Sequence, residues 1–241
     1  GDGKNDIAVA ASGNNQIIVY YQTGETTISW VKQVAGFDFN AVHEVHSADI
    51  DGDGDIDLAG ASAVNNEIAV WYNNGGNPCN WLKQTLTSGD TGARSVYLSD
   101  INNDGNVELI TASLEAHKIA LWYQIDTEPF WQEVVIDNQL NGAHRVRTAD
   151  IDNDGLLDII AQAYMANEVI WYEQLSANSF NFTKHIIDPS CTLSLDVLAA
   201  DFNLDGVKEI VSTSQNANTL ACYVREGNYP YTWQKNIISN Q

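Results

Sequence analysis

Carboxylates recur along this chain at a spacing that suits a hard divalent cation. Asp49, Asp51, Asp53 and Asp57 take positions 1, 3, 5 and 9 of the segment Asp49-Ile-Asp51-Gly-Asp53-Gly54-Asp55-Ile-Asp57. The same places are taken by Asp100, Asn102, Asp104 and Glu108, by Asp150, Asp152, Asp154 and Asp158, and by Asp201, Asn203, Asp205 and Glu209. Asp2 and Asp6 carry the second half of a fifth copy. The pattern D-x-[DN]-x-D-G-x-x-[DE] copies the first nine positions of an EF-hand calcium loop. Alternate side chains of a tight turn converge on one point, and glycine at position 6 permits the sharp bend. Position 7 offers only a backbone carbonyl, so Asp55, Asn106, Leu156 and Val207 can differ there. Position 12, a glutamate in EF-hands, holds Gly60, Thr111, Ala161 and Ser212. The carboxylate at position 9 is therefore expected to complete the shell, with moderate affinity for Ca2+.

Two other uses of these acids can be weighed. An Asx turn rich in Asp and Gly needs no ion, but four copies in register go beyond what turn formation requires. A glycosidase-type acid and base need two carboxylates in different environments at one cleft. Here the acids are multiplied almost identically, which is a pattern for structure. Net charge is −21, from 32 acidic and 11 basic residues, and the loops hold 17 of the acids. Five Ca2+ ions would take −21 to about −11. So acidic a chain, without a basic stripe, is repelled by nucleic acid, and no run of 18 apolar residues suggests membrane insertion.

The elements that must position these loops follow from the period. Asp2, Asp53, Asp104, Asp154 and Asp205 are 51, 51, 50 and 51 residues apart. Each period holds four segments rich in β-branched and aromatic residues, as in 93–101, 107–113, 118–124 and 130–136, here named strands A to D. Four strands in about 50 residues, repeated, mark the blade of a β-propeller. The expected fold is all-β, one domain of four-stranded antiparallel blades in five repeats, roughly 1–48, 49–99, 100–149, 150–200 and 201–241. Tyr20, Trp71, Trp122 and Trp171 share a phase on strand C to within a residue, with Cys222 in fifth place. Trp30, Trp81, Trp131, Phe182 and Trp233 share another on strand D. Residues that recur in every blade are expected to pack blade on blade rather than stack on sugars. Cys79, Cys191 and Cys222 fall at unrelated phases, and a Cys191–Cys222 bridge is left open.

With these residues in view, the chain resembles the FG-GAP/VCBS repeat proteins. Trp-Tyr-Asn at 71–73 and Trp-Tyr-Glu at 171–173 are similar to that family's strand C, and HSADIDGDGDIDLA at 46–59 to its loop. The literal FG and GAP signatures are missing, and family propellers usually have more than five blades. The resemblance implies an extracellular, often calcium-stabilised propeller used for adhesion, glycan binding or scaffolding. It also implies that strand A is innermost, so the first blade is expected to lack its inner strand. Closure by residues beyond this sequence, a larger ring, or a strand donated by a neighbour in self-assembly would each complete it.

Recognition is expected on loops that vary over a rigid scaffold. These are the D–A connections at 87–92, 137–142 and 188–193, and the B–C turns at 12–15, 63–66, 114–117, 163–167 and 214–218. His43, Arg94 and His144 share a phase on strand A at the mouth opposite the acidic loops, with Arg145 and Arg147 nearby. An anionic partner such as a uronate or sulfate, or another protein surface, is one expectation for His43, Arg94, His144 and Arg147. Internal pairing with Glu44 and Asp196 is the other. Enzyme action is the less favoured alternative. It would be a polysaccharide lyase using His43 or His144 as base and Arg94 as charge neutraliser. A filament or surface-layer subunit is a further one.

Overall fold

The computed structural model describes residues 3–24, 27–76, 78–127 and 130–240. Its strands form five successive antiparallel sheets. The first holds β1 (Ile7–Ala11), β2 (Gln16–Gln22) and β3 (Trp30–Gly36). The second holds β4 (Val42–Ala48), β5 (Asp57–Ser62), β6 (Glu67–Asn73) and β7 (Trp81–Thr87). The third is β8 (Ala93–Ser99), β9 (Glu108–Ser113), β10 (Lys118–Gln124) and β11 (Trp131–Asp137). The fourth is β12 (Ala143–Ala149), β13 (Asp158–Ala163), β14 (Glu168–Gln174) and β15 (Phe182–Asp188). The fifth is β16 (Ser194–Ala200), β17 (Glu209–Ser214), β18 (Thr219–Glu226) and β19 (Thr232–Ser239). In each four-stranded sheet the order is sequential, as a propeller blade requires. Strand A of each blade packs on strand A of the next, β4 on β8, β8 on β12 and β12 on β16, so A is innermost. The first sheet has three strands among the described residues and lacks strand A.

Burial follows the layering. Strands β5, β9 and β13 are buried at every residue, since neighbouring blades cover both faces. The outer β19 is almost wholly exposed. Each junction between blades has its own apolar cluster. Ile17, Val19 and Phe39 meet Leu58, Ala69 and Trp71 between the first two blades. Ile110, Ile119 and Leu121 meet Val146, Ile159 and Ile170 between the third and fourth. Trp71 sits edge-on to Phe39 at 4.9 Å. Glycine is required at Gly36, where an added Cβ would lie 2.9 Å from the Trp71 ring.

The aromatic phase on strand C needs one correction. Leu58, Leu109, Ile159 and Ile210 pair with Trp71, Trp122, Tyr172 and Tyr223 respectively. Tyr172 and Tyr223, rather than Trp171 and Cys222, are thus the equivalents of Trp71. Side chains alternate along a strand, so a one-residue offset puts Trp171 on the other face of its sheet. There it packs toward the fifth blade, 6.4 Å from the Trp233 ring. All three cysteines are free, so Cys191 and Cys222 are not bridged.

A latch repeats at the B–C turns. Asn15, Asn66, His117 and Asn167 adopt left-handed backbone, with φ of 57°, 56°, 54° and 61°. The backbone carbonyls of Asn15, Asn66 and Asn167 accept the N–H of the residue 24 positions on, Phe39, Asp90 and Cys191, and that of His117 accepts from Leu140, 23 on. The Asn side chains accept the N–H of the residue 26 on, Ala41, Gly92 and Leu193, at 3.3, 3.0 and 3.0 Å, and His117 Nδ1 accepts from Gly142, 25 on, at 3.0 Å. The turn of one blade thereby grips the segment that enters the next.

Candidate functional sites

The A–B loops are shaped by their own side chains. The Oδ2 of Asp49, Asp100, Asp150 and Asp201 accepts the N–H of Gly54, Gly105, Gly155 and Gly206 at 3.0, 2.9, 3.2 and 2.9 Å. Asp53, Asp104, Asp154 and Asp205 each accept the N–H two residues on, from Asp55, Asn106, Leu156 and Val207, at 2.8 Å. The position-6 glycines have φ of 92°, 92°, 91° and 89°. Carboxylate oxygens of Asp49, Asp51 and Asp53 lie within 4.8 Å of one another, as do those of Asp150, Asp152 and Asp158. In the two Asn-bearing loops, Asn102 Nδ2 donates to Asp104 at 2.9 Å and Asn203 Nδ2 to Glu209 at 2.8 Å.

The ninth-position acids turn inward and act as pins. Asp57 Oδ2 accepts from Ile50 N at 2.9 Å and Oδ1 from Asn73 N at 2.8 Å. Asp158 repeats this with Ile151 N at 3.0 Å and Gln174 N at 2.8 Å. Glu108 accepts from Ile101 N at 3.1 Å and Glu209 from Phe202 N at 3.0 Å. Asp6 accepts from Gln22 N at 2.9 Å, the bond that corresponds to Asp57 with Asn73. Asp2 lies outside the described residues. Burial, then the neighbouring Asp152, pushes the Asp158 carboxyl up to about 7, and burial with Asp104 and Asp100 does the same for Glu108. The donor set is hard oxygen throughout, and buried carboxylates beside like charges are what a divalent cation would neutralise. These residues fit Ca2+. Neighbouring blades steady the loops: Gln124 Nε2 donates to Ile50 O at 2.6 Å and Arg225 Nη1 to Ile151 O at 2.8 Å.

The opposite face holds the basic cluster, positioned by a device that the sequence did not disclose. Strand A carries a β-bulge in every four-stranded blade, between Val42 and Glu44, Ala93 and Ser95, Ala143 and Arg145, and Ser194 and Val197. His43, Arg94, His144 and Leu195 fall at those bulges, which take a residue out of the ladder and re-aim it. One residue on, Glu44 receives Ser95 Oγ at 2.5 Å, Arg145 Nη1 at 2.8 Å and Arg147 Nη2 at 3.0 Å. Asp196 lies 3.3 Å from Arg145 Nε and 3.7 Å from Arg147. Internal pairing therefore accounts for Arg145 and Arg147. Arg94 differs: its Nη1 donates to His43 Nε2 at 2.8 Å, and it has no carboxylate partner among the described residues. Burial and the nearby arginines hold the His43 and His144 imidazoles below their ordinary range, His144 at about 4.

No helix among the described residues is long and apolar enough to cross a membrane. No curated protein matches the chain. The model of the FG-GAP-like repeat matches residues 1–60, 49–111, 100–161 and 150–212, successive windows that each take in the acidic loops. With that match covering most of its length, the chain belongs to the FG-GAP-like repeat family.

Proposed function

We propose that the protein is an extracellular, calcium-stabilised propeller that recognises a partner on the face opposite its acidic loops. The observation that carries the calcium assignment is the repetition of one carboxylate arrangement in four loops, two of which bring their acids within 4.8 Å. An ion there would tie strand A to strand C through the buried position-9 acid and would offset part of the −21 charge. Recognition, of a glycan or a protein, falls to the latched D–A and B–C loops and the bulged residues of strand A. The same set of acids repeats in four blades instead of meeting at one cleft, which favours binding over catalysis.

Chelation tests it. An ion held at 100 times its dissociation constant stabilises the native state by about 2.7 kcal/mol per site. Melting in excess EGTA should therefore fall well below melting in millimolar Ca2+, and Mg2+ at the same concentration should restore less. Equal melting temperatures with and without chelator would sink the calcium assignment.

A further inference from the structure

A small cleft of about 210 Å³ opens on the recognition face, lined by Arg94, Leu114, His144, Tyr164, Leu195 and Gln215. Arg94, His144 and Leu195 reach it from the bulges of three successive inner strands, and Leu114, Tyr164 and Gln215 from the B–C turns. Three features set its chemistry. Arg94 is a full positive charge with a neutral partner, and its Nε is buried without an acceptor. His144 Nδ1 lies 3.1 Å from the Leu195 carbonyl, which can only accept. The proton of the neutral ring is thus on Nδ1, and Nε2 keeps a lone pair for an incoming hydroxyl. Tyr164 stacks on the His144 ring at 5.5 Å, and Leu114 and Leu195 add apolar wall.

We infer that this cleft binds a carboxylate carried on a hydroxylated ring, of which a uronic acid is the simplest case. The carboxylate would pair with the Arg94 guanidinium, a hydroxyl would donate to His144 Nε2, and the ring would lie along Tyr164. Glu44 and Asp196 leave this one arginine unpaired while neutralising Arg145 and Arg147. The volume admits one sugar unit, so a terminal or free residue fits better than the middle of a packed chain. This assignment rests on the recognition face proposed above and names its ligand class.

Titration calorimetry of the calcium-loaded protein with D-glucuronate, D-glucose, acetate and lactate separates the contributions. Glucuronate should bind, with glucose and acetate each at least ~10-fold weaker, since each lacks one of the two paired interactions. Weaker lactate assigns the ring to Tyr164, whereas equal lactate would overturn the ring requirement. Arg94→Gln should lower glucuronate affinity by ~10-fold or more and Arg94→Lys by less, both with unchanged melting. No heat with any probe at tens of millimolar, or unaltered binding by Arg94→Gln, overturns the site. Repeating the wild-type titration in EGTA, alongside its melting curve, keeps the two ideas apart: unaltered melting counts against calcium alone, absent binding by a fully folded protein against the cleft alone.

Discussion

Truncating Asn66 probes the latch that joins one blade to the next. Asn66→Ala removes the acceptor of the Gly92 N–H, a 3.0 Å bond to a buried residue. A buried donor left unpaired costs about 1–2 kcal/mol. Residue 66 also sits at φ 56°, where alanine is disfavoured relative to asparagine by about 0.5–1 kcal/mol. The expected loss is about 1.5–3 kcal/mol. Unfolding entropy for a chain of 241 residues is about 0.5 kcal/mol/K, so the melting temperature should fall by about 3–6 °C. Asn66→Gly keeps the backbone freedom and loses only the acceptor, for about 2–4 °C and less than Ala. Asn66→Asp keeps both and should stay near wild type. Thermal unfolding followed by circular dichroism in saturating Ca2+ gives the order, and hydrogen exchange at the Gly92 amide should quicken in the Ala and Gly variants. If Ala melts within about 1 °C of wild type, the latch is idle. If Gly is as damaging as Ala, the backbone half of the argument is wrong.

Other outcomes follow from single residues. Leu204 is 86% exposed at φ 63°, where the other loops have Gly52, Asn103 and Asn153, so Leu204→Asn should stabilise by about 0.5–1 kcal/mol in denaturant titrations. Glu44→Ala leaves the more exposed Asp196 as the one carboxylate beside Arg145 and Arg147 among the described residues and should cost about 3 kcal/mol in the same assay. Burial, then Arg145 and Arg94, lowers the folded pKa of His144 from 6.5 to about 4. Its folded form binds fewer protons than the unfolded chain in that window. The contribution is therefore complete above pH 6.5 and lost as pH falls toward 4. Discounted for partial exposure it amounts to about 1–2 kcal/mol, and His144→Gln should flatten that part of a stability–pH curve.

The blade order and the five repeats were legible because a period near 50 fixes connectivity and β-rich segments fix element type, whereas the inner position of strand A came only from the resemblance to the repeat family. The acidic loops were legible because Asp, Asn and Gly recur in them at set offsets. That Asp57 and Asp158 are buried acceptors for the amides of Ile50 and Asn73, and of Ile151 and Gln174, was not, since a carboxylate at position 9 looks the same whether it faces an ion or the core. The bulges at His43, Arg94 and His144 left no compositional mark: an extra residue in one strand shows only against its partner. Trp171 misled for the same reason. Its phase could be read only after the pairing of Ile159 with Tyr172 was known.

The latch also bears on how this molecule would respond to being cut. Asp90 N is tied to Asn66 O, so a nick between Thr87 and Asp90 leaves its upstream end in the ladder of β7 and its downstream end fastened to the same blade. Both new termini stay anchored within one sheet and its turn, and the nicked protein should migrate as a single species until denatured. Severing the linker between two modules would thus break a covalent bond without releasing either module. Tolerance to cleavage, permutation or inserted domains should be greatest in these linkers, although they line the face proposed for recognition.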